Sequence, residues 1–341
     1  GQKQATVLTH PKPAGKPLVF DNMDLELVTE GTGSGGTMVY SLSKDDPTDP
    51  YLEEIPTGFN AGVYTVYYKV KGDDNHSDSG VGEVEVTISP KTVKDPTIEL
   101  FDGNTPLVNY IYDGNKKEPE VVVKDGSTVI DKGEYNTVYS NNRNAGTATV
   151  SITDKPGGNY TVTGSAAFVI LKADIVFNPD PQAADITYDG KAHELLIPGT
   201  TNGGGVLYAL GSQTGTYLAA IPTASEAEEY TVYYKVVGDE NHNSFDVTSV
   251  TVTIKKATAQ IIDAPAKIDP LVYSGQPLEL ITAGKTNVGS IVYSLDGTNF
   301  SPTIPTGTNA GTYKVYYKVD ETGNYTGVAA NTTPISVTIA P

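Results

Sequence analysis

The chain contains no cysteine and no tryptophan among its 341 residues. Without cysteine it can form no disulfide, no zinc–thiolate site and no thiol nucleophile. It has no apolar run long enough to span a bilayer, so we expect no membrane insertion by this segment. Positive charge is also scarce, because 23 Lys and Arg stand against 41 Asp and Glu, for a net charge of −18. This balance predicts no nucleic-acid partner and no docking on an anionic membrane.

Recognisable catalytic motifs are missing too. The glycine-rich stretches GTGSGG (31–36) and NGGG (202–205) lack the helix and lysine that follow a phosphate loop, so we interpret both as long turns. The four histidines stand in different contexts, and no Ser/His/Asp constellation can be assembled. We therefore expect no enzyme, no catalytic residues and no cofactor.

The residues that are abundant indicate a turn-rich β protein. Hydrophobic residues make up only 38% of the chain, while there are 35 Gly, 22 Pro and 22 Tyr. This Gly and Pro content is below that of a disordered segment. The acidity fits an exposed chain that stays soluble, and it predicts a monomer.

One segment recurs four times along the chain. Its copies are marked by four residues spaced 84, 82 and 83 apart: Asn60, Asn144, Glu226 and Asn309. Fifteen residues after each of them comes a further asparagine: Asn75, Asn159, Asn241 and Asn324. Upstream, a short aromatic turn recurs in register as FDN (20–22), YDG (112–114), YDG (188–190) and YSG (273–275). A period of this length fits one small domain per copy.

We predict four tandem domains, here called repeats 1 to 4: residues 1–90, 91–173, 174–257 and 258–341. The segments between them are short and carry no Gly/Ser tract. Such linkers restrict the angle between neighbours, so we expect an elongated, semi-rigid array.

Each repeat has the pattern of a two-sheet β-sandwich. In YKVYYKV (313–319), apolar alternation places Tyr313 on the inner face and Tyr316 on the outer face. The third position of the aromatic turn is Gly114, Gly190, Gly275 or Asn22, the residue types that best tolerate a positive φ, so we predict a left-handed conformation there. No helical period is visible.

The segments NAGVYTV (60–66) and NAGTYKV (309–315) resemble the tyrosine corner of immunoglobulin domains. The resemblance implies that Tyr64, Tyr230 and Tyr313 are buried, with each hydroxyl bonded to local backbone. It also implies buried core residues in place of the second cysteine (Val66, Val232 and Val315) and of the strand-C tryptophan (Tyr40, Tyr208 and Tyr293).

Two copies depart from the corner pattern. Repeat 2 has Ala148 where the corner tyrosine is expected, so Tyr135 or Tyr139 is expected to secure that turn, and repeat 3 has Glu-Ala-Glu (226–228) in place of Asn-Ala-Gly. The whole chain resembles the tandem immunoglobulin-like repeats of large bacterial cell-surface and secreted proteins. That resemblance implies an all-β array of four immunoglobulin-like sandwiches outside the cell, acting as a spacer, stalk or adhesin.

Two other hypotheses stay open. An unknown protein or glycan could bind the outward face of the central strands through three tyrosines at matching positions: Tyr67, Tyr233 and Tyr316. Calcium could stiffen the domain junctions through acidic pairs in the following loop: Asp73, Asp74, Asp239, Glu240, Asp320 and Glu321. Against calcium, no EF-hand or cadherin-like ligand spacing is present; against binding, outward tyrosines also pack across strands.

Overall fold

The computed structural model describes residues 1–341. The chain forms two compact units, Gly1–Lys172 and Ala173–Pro341. Both consist of short β-strands, and the one helical element is a 3-10 turn at Lys132–Glu134. No helix of the chain is long and apolar enough to cross a membrane.

The first unit contains twenty strands. In repeat 1 they are Lys3–Gln4, Thr6–Thr9, Leu18–Val19, Leu25–Glu26, Thr32–Ser34, Gly36–Ser41, Thr57–Gly58, Gly62–Gly72, His76–Ser77 and Gly82–Ser89. In repeat 2 they are Lys91–Thr92, Thr97–Asp102, Thr105–Pro106, Tyr110–Ile111, Glu120–Asp125, Thr128–Val129, Tyr135–Ser140, Gly146–Asp154, Tyr160–Thr161 and Thr163–Leu171.

The second unit contains sixteen strands. In repeat 3 they are Gln182–Ala183, Ile186–Thr187, His193–Glu194, Leu196–Ile197, Gly205–Leu210, Thr223–Ala224, Glu229–Val237 and Phe245–Lys255. In repeat 4 they are Ile261–Asp263, Leu271–Val272, Leu278–Glu279, Lys285–Thr286, Ile291–Ser294, Thr306–Gly307, Gly311–Val319 and Ile335–Ala340.

Every repeat contains the same four-stranded sheet. In repeat 1 its order is Leu18–Val19, Gly82–Ser89, Gly62–Gly72 and Gly36–Ser41, and the first pair is parallel while the others are antiparallel. Strands from the beginning and middle of the repeat form the opposing layer through the Thr6–Thr9 pair and the Leu25–Glu26 pair. The chain thus starts in one layer and joins the other at Leu18. This topology confirms the predicted immunoglobulin-like sandwich.

The core of each sandwich lies between its two layers. Val66, Val232 and Val315 are fully buried at the centre of their repeats. The tyrosines in the strand-C position are also buried, with 2% of Tyr40 and 5% of Tyr208 exposed. The Tyr40 hydroxyl accepts a hydrogen bond from the Gly31 N–H at 2.8 Å, which satisfies its polar end inside the core.

The turn chemistry agrees with the sequence. Gly114, Gly190 and Gly275 have φ values of 83°, 77° and 71°, and Asn22 has 64°. These four residues occupy the third position of the recurring aromatic turn, so the left-handed conformation predicted there is confirmed.

Repeat 2 has a buried alanine in place of the corner tyrosine. Ala148 is fully buried in a cluster with Phe168 and Ile170, and Tyr139 packs against that cluster. The Tyr139 hydroxyl donates to the Pro119 carbonyl at 2.6 Å. Tyr139, from the neighbouring strand, therefore fills space beside Ala148. Its hydroxyl bonds to the loop before strand Glu120–Asp125 rather than to the corner loop, so the role expected for it at that turn stays a prediction.

Candidate functional site

The recurring Asn-Ala-Gly segment first builds the tyrosine corner. The Tyr64 hydroxyl donates to the Asn60 carbonyl at 2.6 Å, Tyr230 to Glu226 at 3.0 Å and Tyr313 to Asn309 at 2.8 Å. The predicted hydroxyl bonds are confirmed. The prediction that these rings are buried is wrong in degree, since all three are half-buried. Each ring must reach a carbonyl of the preceding loop, and this keeps part of the ring at the protein surface.

The same segment also contacts the following repeat. At the junction of repeats 1 and 2, the Asn159 side-chain oxygen accepts from the Ala61 N–H at 2.8 Å, and its amide nitrogen donates to Asn60 Oδ1 at 3.1 Å. Within repeat 2, Glu134 accepts from the Asn159 backbone N–H at 2.7 Å and from its side-chain amide at 3.2 Å. Glu134 therefore holds Asn159 in position for these bonds.

An aromatic pair lies beside this asparagine. Tyr160 packs edge-on against Phe20 with ring centroids 5.3 Å apart, and it adds to the hydrophobic core of repeat 1. Phe20 belongs to the recurring aromatic turn and is only 4% exposed. The two motifs that recur along the sequence therefore meet at one junction.

The linker is tied to the same loop through its backbone. The Lys91 N–H donates to the Asn159 carbonyl at 2.9 Å, and the Val93 N–H donates to the Thr161 carbonyl at 3.0 Å. Lys91–Thr92 thus pairs in parallel with Tyr160–Thr161. Asn159 bonds to the linker through its carbonyl and to repeat 1 through its side chain. These bonds restrict the motion of repeat 2 relative to repeat 1.

The junction of repeats 3 and 4 repeats this construction. The Asn324 side-chain oxygen accepts from the Ala227 N–H at 2.9 Å, and its amide donates to Glu226 Oε2 at 2.7 Å. Tyr325 packs edge-on against Tyr188 at 5.8 Å. The unusual Glu226 thus replaces an asparagine without loss of the bond, because an amide N–H can donate to a carboxylate as well as to a carbonyl.

The linker of the second unit is fixed in the same way. The Ala257 N–H donates to the Asn324 carbonyl at 2.9 Å, and the Thr326 N–H donates to the Ala257 carbonyl at 3.0 Å. Lys256 adds an ion pair with Glu321 at 2.6 Å. The bond from Lys256 lowers the pKa of Glu321, whose carboxylate stays ionised beside it.

Two turn glycines lie against the ring that follows the recurring asparagine. A Cβ on Gly289 would lie 3.3 Å from the Tyr325 ring, and one on Gly35 would lie 2.8 Å from the His76 ring. Both glycines have positive φ. At both turns the absence of a side chain on the glycine leaves room for the ring, and His76 packs on its turn as Tyr325 does.

The recurrence of these asparagines is visible in the sequence, but their contact with the preceding repeat is not. Asn159 lies 99 residues after Asn60, and Asn324 lies 98 after Glu226. These separations equal one repeat period plus the fifteen-residue spacing of the two markers. A recurring pair offset by one period is the signal that would have identified a contact between neighbours.

The three outward tyrosines lie where the alternation placed them. Tyr67, Tyr233 and Tyr316 are half-buried, and the next residues Tyr68 and Tyr234 are buried. In repeat 4 the next residue, Tyr317, is also only half-buried, although it packs against the core. Their direct cross-strand neighbours are small or polar, and these are Ser41 and Glu83, Ala209 and Ser249, and Ser294 respectively. No large residue faces these rings across the strands.

Two residues after each of these three tyrosines stands a lysine, and its Nζ lies over the ring of another aromatic residue. Lys69 lies over Tyr51, Lys235 over Tyr217 and Lys318 over Phe300, with 4.9, 4.2 and 4.3 Å from Nζ to the ring centroid. Each contact ties the central strand to the loop that crosses in front of it.

Most of the acidic residues considered as calcium ligands accept a hydrogen bond or form an ion pair with a neighbouring side chain. Asp73 accepts from His76 Nδ1 at 2.7 Å and Asp239 from His242 Nδ1 at 2.9 Å, and these bonds lower the pKa of both carboxyls. Asp320 pairs with Lys318 at 3.1 Å. The remaining pair, Asp74 and Glu240, is exposed. No three His, Asp or Glu side chains gather as a metal site would require.

No family model matches the chain, and no curated protein matches it. The similar solved structures include Sidekick-1 immunoglobulin domains 1–5, at 11% identity over 99% of this chain and 80% of that one, with a TM-score of 0.21. Protocadherin gammaB7 EC3-6 has 12% identity over 96% and 97%, with a TM-score of 0.26. The Bacteroides ovatus SGBP-B of a mixed-linkage glucan utilization locus, in complex with a mixed-linkage heptasaccharide, has 14% identity over 99% and 92%, with a TM-score of 0.19.

Proposed function

We propose that this chain is a non-catalytic structural segment, a spacer of immunoglobulin-like repeats that acts outside the cell in a bacterial surface or secreted protein. The observation that carries the proposal is the junction. Two junctions in different units use the same asparagine bonds, the same aromatic pair and the same paired linker. A segment that only connects unrelated binding domains has no need to fix each neighbour in this way.

The energy of these contacts is sufficient to keep a junction closed. Two side-chain hydrogen bonds and one edge-on aromatic pair contribute about 1 kcal/mol each. Since about 1.4 kcal/mol changes an equilibrium tenfold, contacts of this size shift a junction towards its closed state. A closed junction is what a spacer needs to transmit position from one repeat to the next.

The extracellular and bacterial parts of the proposal are supported by the resemblance to tandem surface repeats. The absence of cysteine fits repeats that obtain their stability from sandwich cores and junction contacts rather than from disulfides. The net charge of −18 favours a chain that stays solvated.

The proposal is tested by measuring the junction of repeats 1 and 2 directly. Because the chain has no cysteine, Glu83→Cys and Val138→Cys place one spin label in each repeat without background labelling. Pulsed electron–electron double resonance should give a narrow distribution of distances between the two spin labels in the otherwise unchanged chain. Asn159→Ala combined with Tyr160→Ala should broaden it, because both side-chain contacts are lost.

Asn75→Ala is the matched control for this measurement. Asn75 occupies the position of Asn159 in repeat 1 and is exposed, so its removal should leave the distribution unchanged. A distribution in the starting chain as broad as that of the double variant would contradict a fixed junction and, with it, the spacer function.

The second candidate is a binding module for a glycan or protein. It is favoured by the three half-buried tyrosines at matching positions, Tyr67, Tyr233 and Tyr316, which no large cross-strand residue covers. The test is an array of immobilised oligosaccharides probed with the chain and with the triple Tyr→Ala variant. Binding that the triple variant loses supports this candidate, and equal signals from both chains exclude the tyrosine face as the binding site.

A further inference from the structure

The four-stranded sheet of repeat 2 has an open edge. Its edge strand, Tyr135–Ser140, pairs on one side only, with Gly146–Asp154. In the other three repeats a loop covers the corresponding edge strand. That strand exchanges two backbone hydrogen bonds with the loop, in the pairs Tyr40 with Leu52, Tyr208 with Leu218 and Tyr293 with Ser301. No such bridge is formed by the edge strand of repeat 2.

The difference arises from how the edge strand joins the central strand. In repeat 1 the connecting segment is 42–61, which is long enough to supply the covering loop. In repeat 2 it is only 141–145, so no chain is available to cross the edge. The burial pattern follows from this connection. The edge strand of repeat 1 is buried from Met38 to Ser41, whereas in repeat 2 four of its residues are exposed: Asn136, Thr137, Val138 and Ser140.

The edge strand directs free backbone groups outward. The Lys155 N–H donates to the Glu134 carbonyl at 2.9 Å, which fixes the residue at which bonding into the sheet begins. Neighbouring residues of an antiparallel strand point their N–H and C=O groups in opposite directions. Tyr135, Thr137 and Tyr139 therefore direct these groups towards the open edge. The strand carries no charge, no proline and no bulge, the features by which proteins block an edge.

A groove of about 410 Å³ lies beside this edge, between the edge strand and Glu120–Asp125 of the opposing layer. Tyr135 and Tyr139 line it, and Thr137 stands between them. By its register with the central strand, Thr137 occupies the position that Tyr40 has in repeat 1. Tyr40 is 2% exposed, while Thr137 is exposed. The smaller side chain therefore leaves space that an incoming residue can fill.

The charges at the groove indicate the kind of segment that it takes. Glu118 and Glu120 line the groove together with one cation, Lys132. Lys132 is already paired with Glu120, and the Glu118 residue is exposed. The whole chain has a net charge of −18, so a second copy would bring charge of the same sign. Charge complementarity therefore favours a segment that carries lysine or arginine.

We propose that this edge of repeat 2 binds an extended, basic segment of a partner protein, which adds to the sheet as a further strand beside Tyr135–Ser140. The outward N–H and C=O groups of Thr137 and its alternate neighbours bond to the main chain of the segment. Every second side chain of the segment enters the groove. Those between them contact Val138, which is 60% exposed on the outer face of the sheet. β-Branched residues suit both places, and a terminal lysine or arginine suits Glu118.

Hydrogen exchange of the full chain tests the proposal with a synthetic peptide as probe, acetyl-KVTVTVK-amide. Excess peptide should slow the exchange of the Thr137 and Tyr139 amides, because both then bond to the added strand. The covered edge strands of repeats 1, 3 and 4 should keep their exchange rates. The peptide acetyl-EVTVTVE-amide should bind about tenfold more weakly in low salt, and the difference should shrink as salt is added.

Three variants locate the binding site on the edge. Thr137→Tyr places in the groove the residue type of the other three repeats, so it should weaken binding at least about tenfold. Val138→Ser should weaken binding about threefold, because the outer contact is lost. Val169→Ser is the matched control, since Val169 is 43% exposed on the same face but lies on an inner strand. It should bind the peptide as the starting chain does. Circular dichroism and thermal unfolding establish that each variant is folded.

Several outcomes overturn the proposal. One is unchanged exchange of 135–140 at saturating basic peptide, and another is equal affinity for the basic and acidic peptides in low salt. Equal loss of binding in Val138→Ser and Val169→Ser would show that the peptide does not add to the edge, even if Thr137→Tyr fails to fold. Protection of 135–140 that rises with the concentration of the chain alone would identify a second copy as the occupant instead.

Discussion

Two tyrosines three residues apart in one strand, Tyr313 and Tyr316, perform different tasks. Tyr313 donates to the Asn309 carbonyl and lies against Gly307, where an added Cβ would be 2.7 Å from the ring. Tyr316 lies on the opposite face, across from Ser294. The first ring therefore fastens a loop to the sandwich, while the second lies on the outside of the sheet against the turn at Gly297.

The two positions should differ in their effect on stability. Tyr313→Ala should lower the unfolding free energy of repeat 4 by about 2–4 kcal/mol, because it loses half-buried aromatic packing and a hydrogen bond. Tyr316→Ala should lower it by less than about 1.5 kcal/mol. Hydrogen exchange of repeat 4 peptides within the full chain measures both changes.

Tyr313→Phe separates the two contributions at the corner. It keeps the ring and removes the hydroxyl, so the loss should fall to about 0.5–1.5 kcal/mol. Equal destabilisation by Tyr313→Ala and Tyr316→Ala would show that the assignment of faces is wrong, and the tyrosine-face binding candidate would fail with it.

At the scale of an element, the turn after strand Ile291–Ser294 is held by one carboxylate. Asp296 accepts from the backbone N–H groups of Thr298 and Asn299, from the Asn299 side chain and from the Ser294 hydroxyl, all at 2.8 Å. These bonds favour the ionised form and lower the pKa of Asp296 far below its usual value.

This turn should weaken in acid. The folded pKa lies below the unfolded value of about 3.9, so the stabilisation is complete above that pH and is lost as the pH falls through the folded pKa. Calorimetry should find Asp296→Asn less stable than the starting chain by a constant difference between about pH 7 and pH 5, and that difference should shrink below about pH 4. A difference independent of pH down to pH 2.5 would remove Asp296 ionisation as the cause.

The features that could be predicted from the sequence are those that depend on neighbouring residues along the chain. Period-two alternation separates Tyr67 from Tyr68, and a glycine or asparagine marks the positive φ of the aromatic turn, because both effects are local. The half-exposed state of Tyr64 was not predicted, since it depends on where the corner lies at the edge of the sandwich. The contact of Asn159 with Asn60 also lies beyond local patterns, because it forms only after two domains have folded.

For the whole molecule, the many carboxylates raise the question of calcium. Four of the six candidates already have partners, as in the pairs of Asp73 with His76 and Glu321 with Lys256. Calcium would have to displace these bonds at each loop. We therefore expect the same thermal unfolding profile with calcium and with a chelator, measured by calorimetry at equal ionic strength. A rise of the transition temperature in calcium alone would revive a metal-stiffened junction.

The junction described between repeats 1 and 2 and between repeats 3 and 4 has an evolutionary consequence. Because repeats 1 and 3 provide the corner backbone and repeats 2 and 4 provide the asparagine that bonds to it, each pair of repeats carries a complete interface. Insertion or deletion of a whole pair then requires no compensating substitution within it. Unequal recombination can therefore change the number of such pairs while every pair keeps its interface.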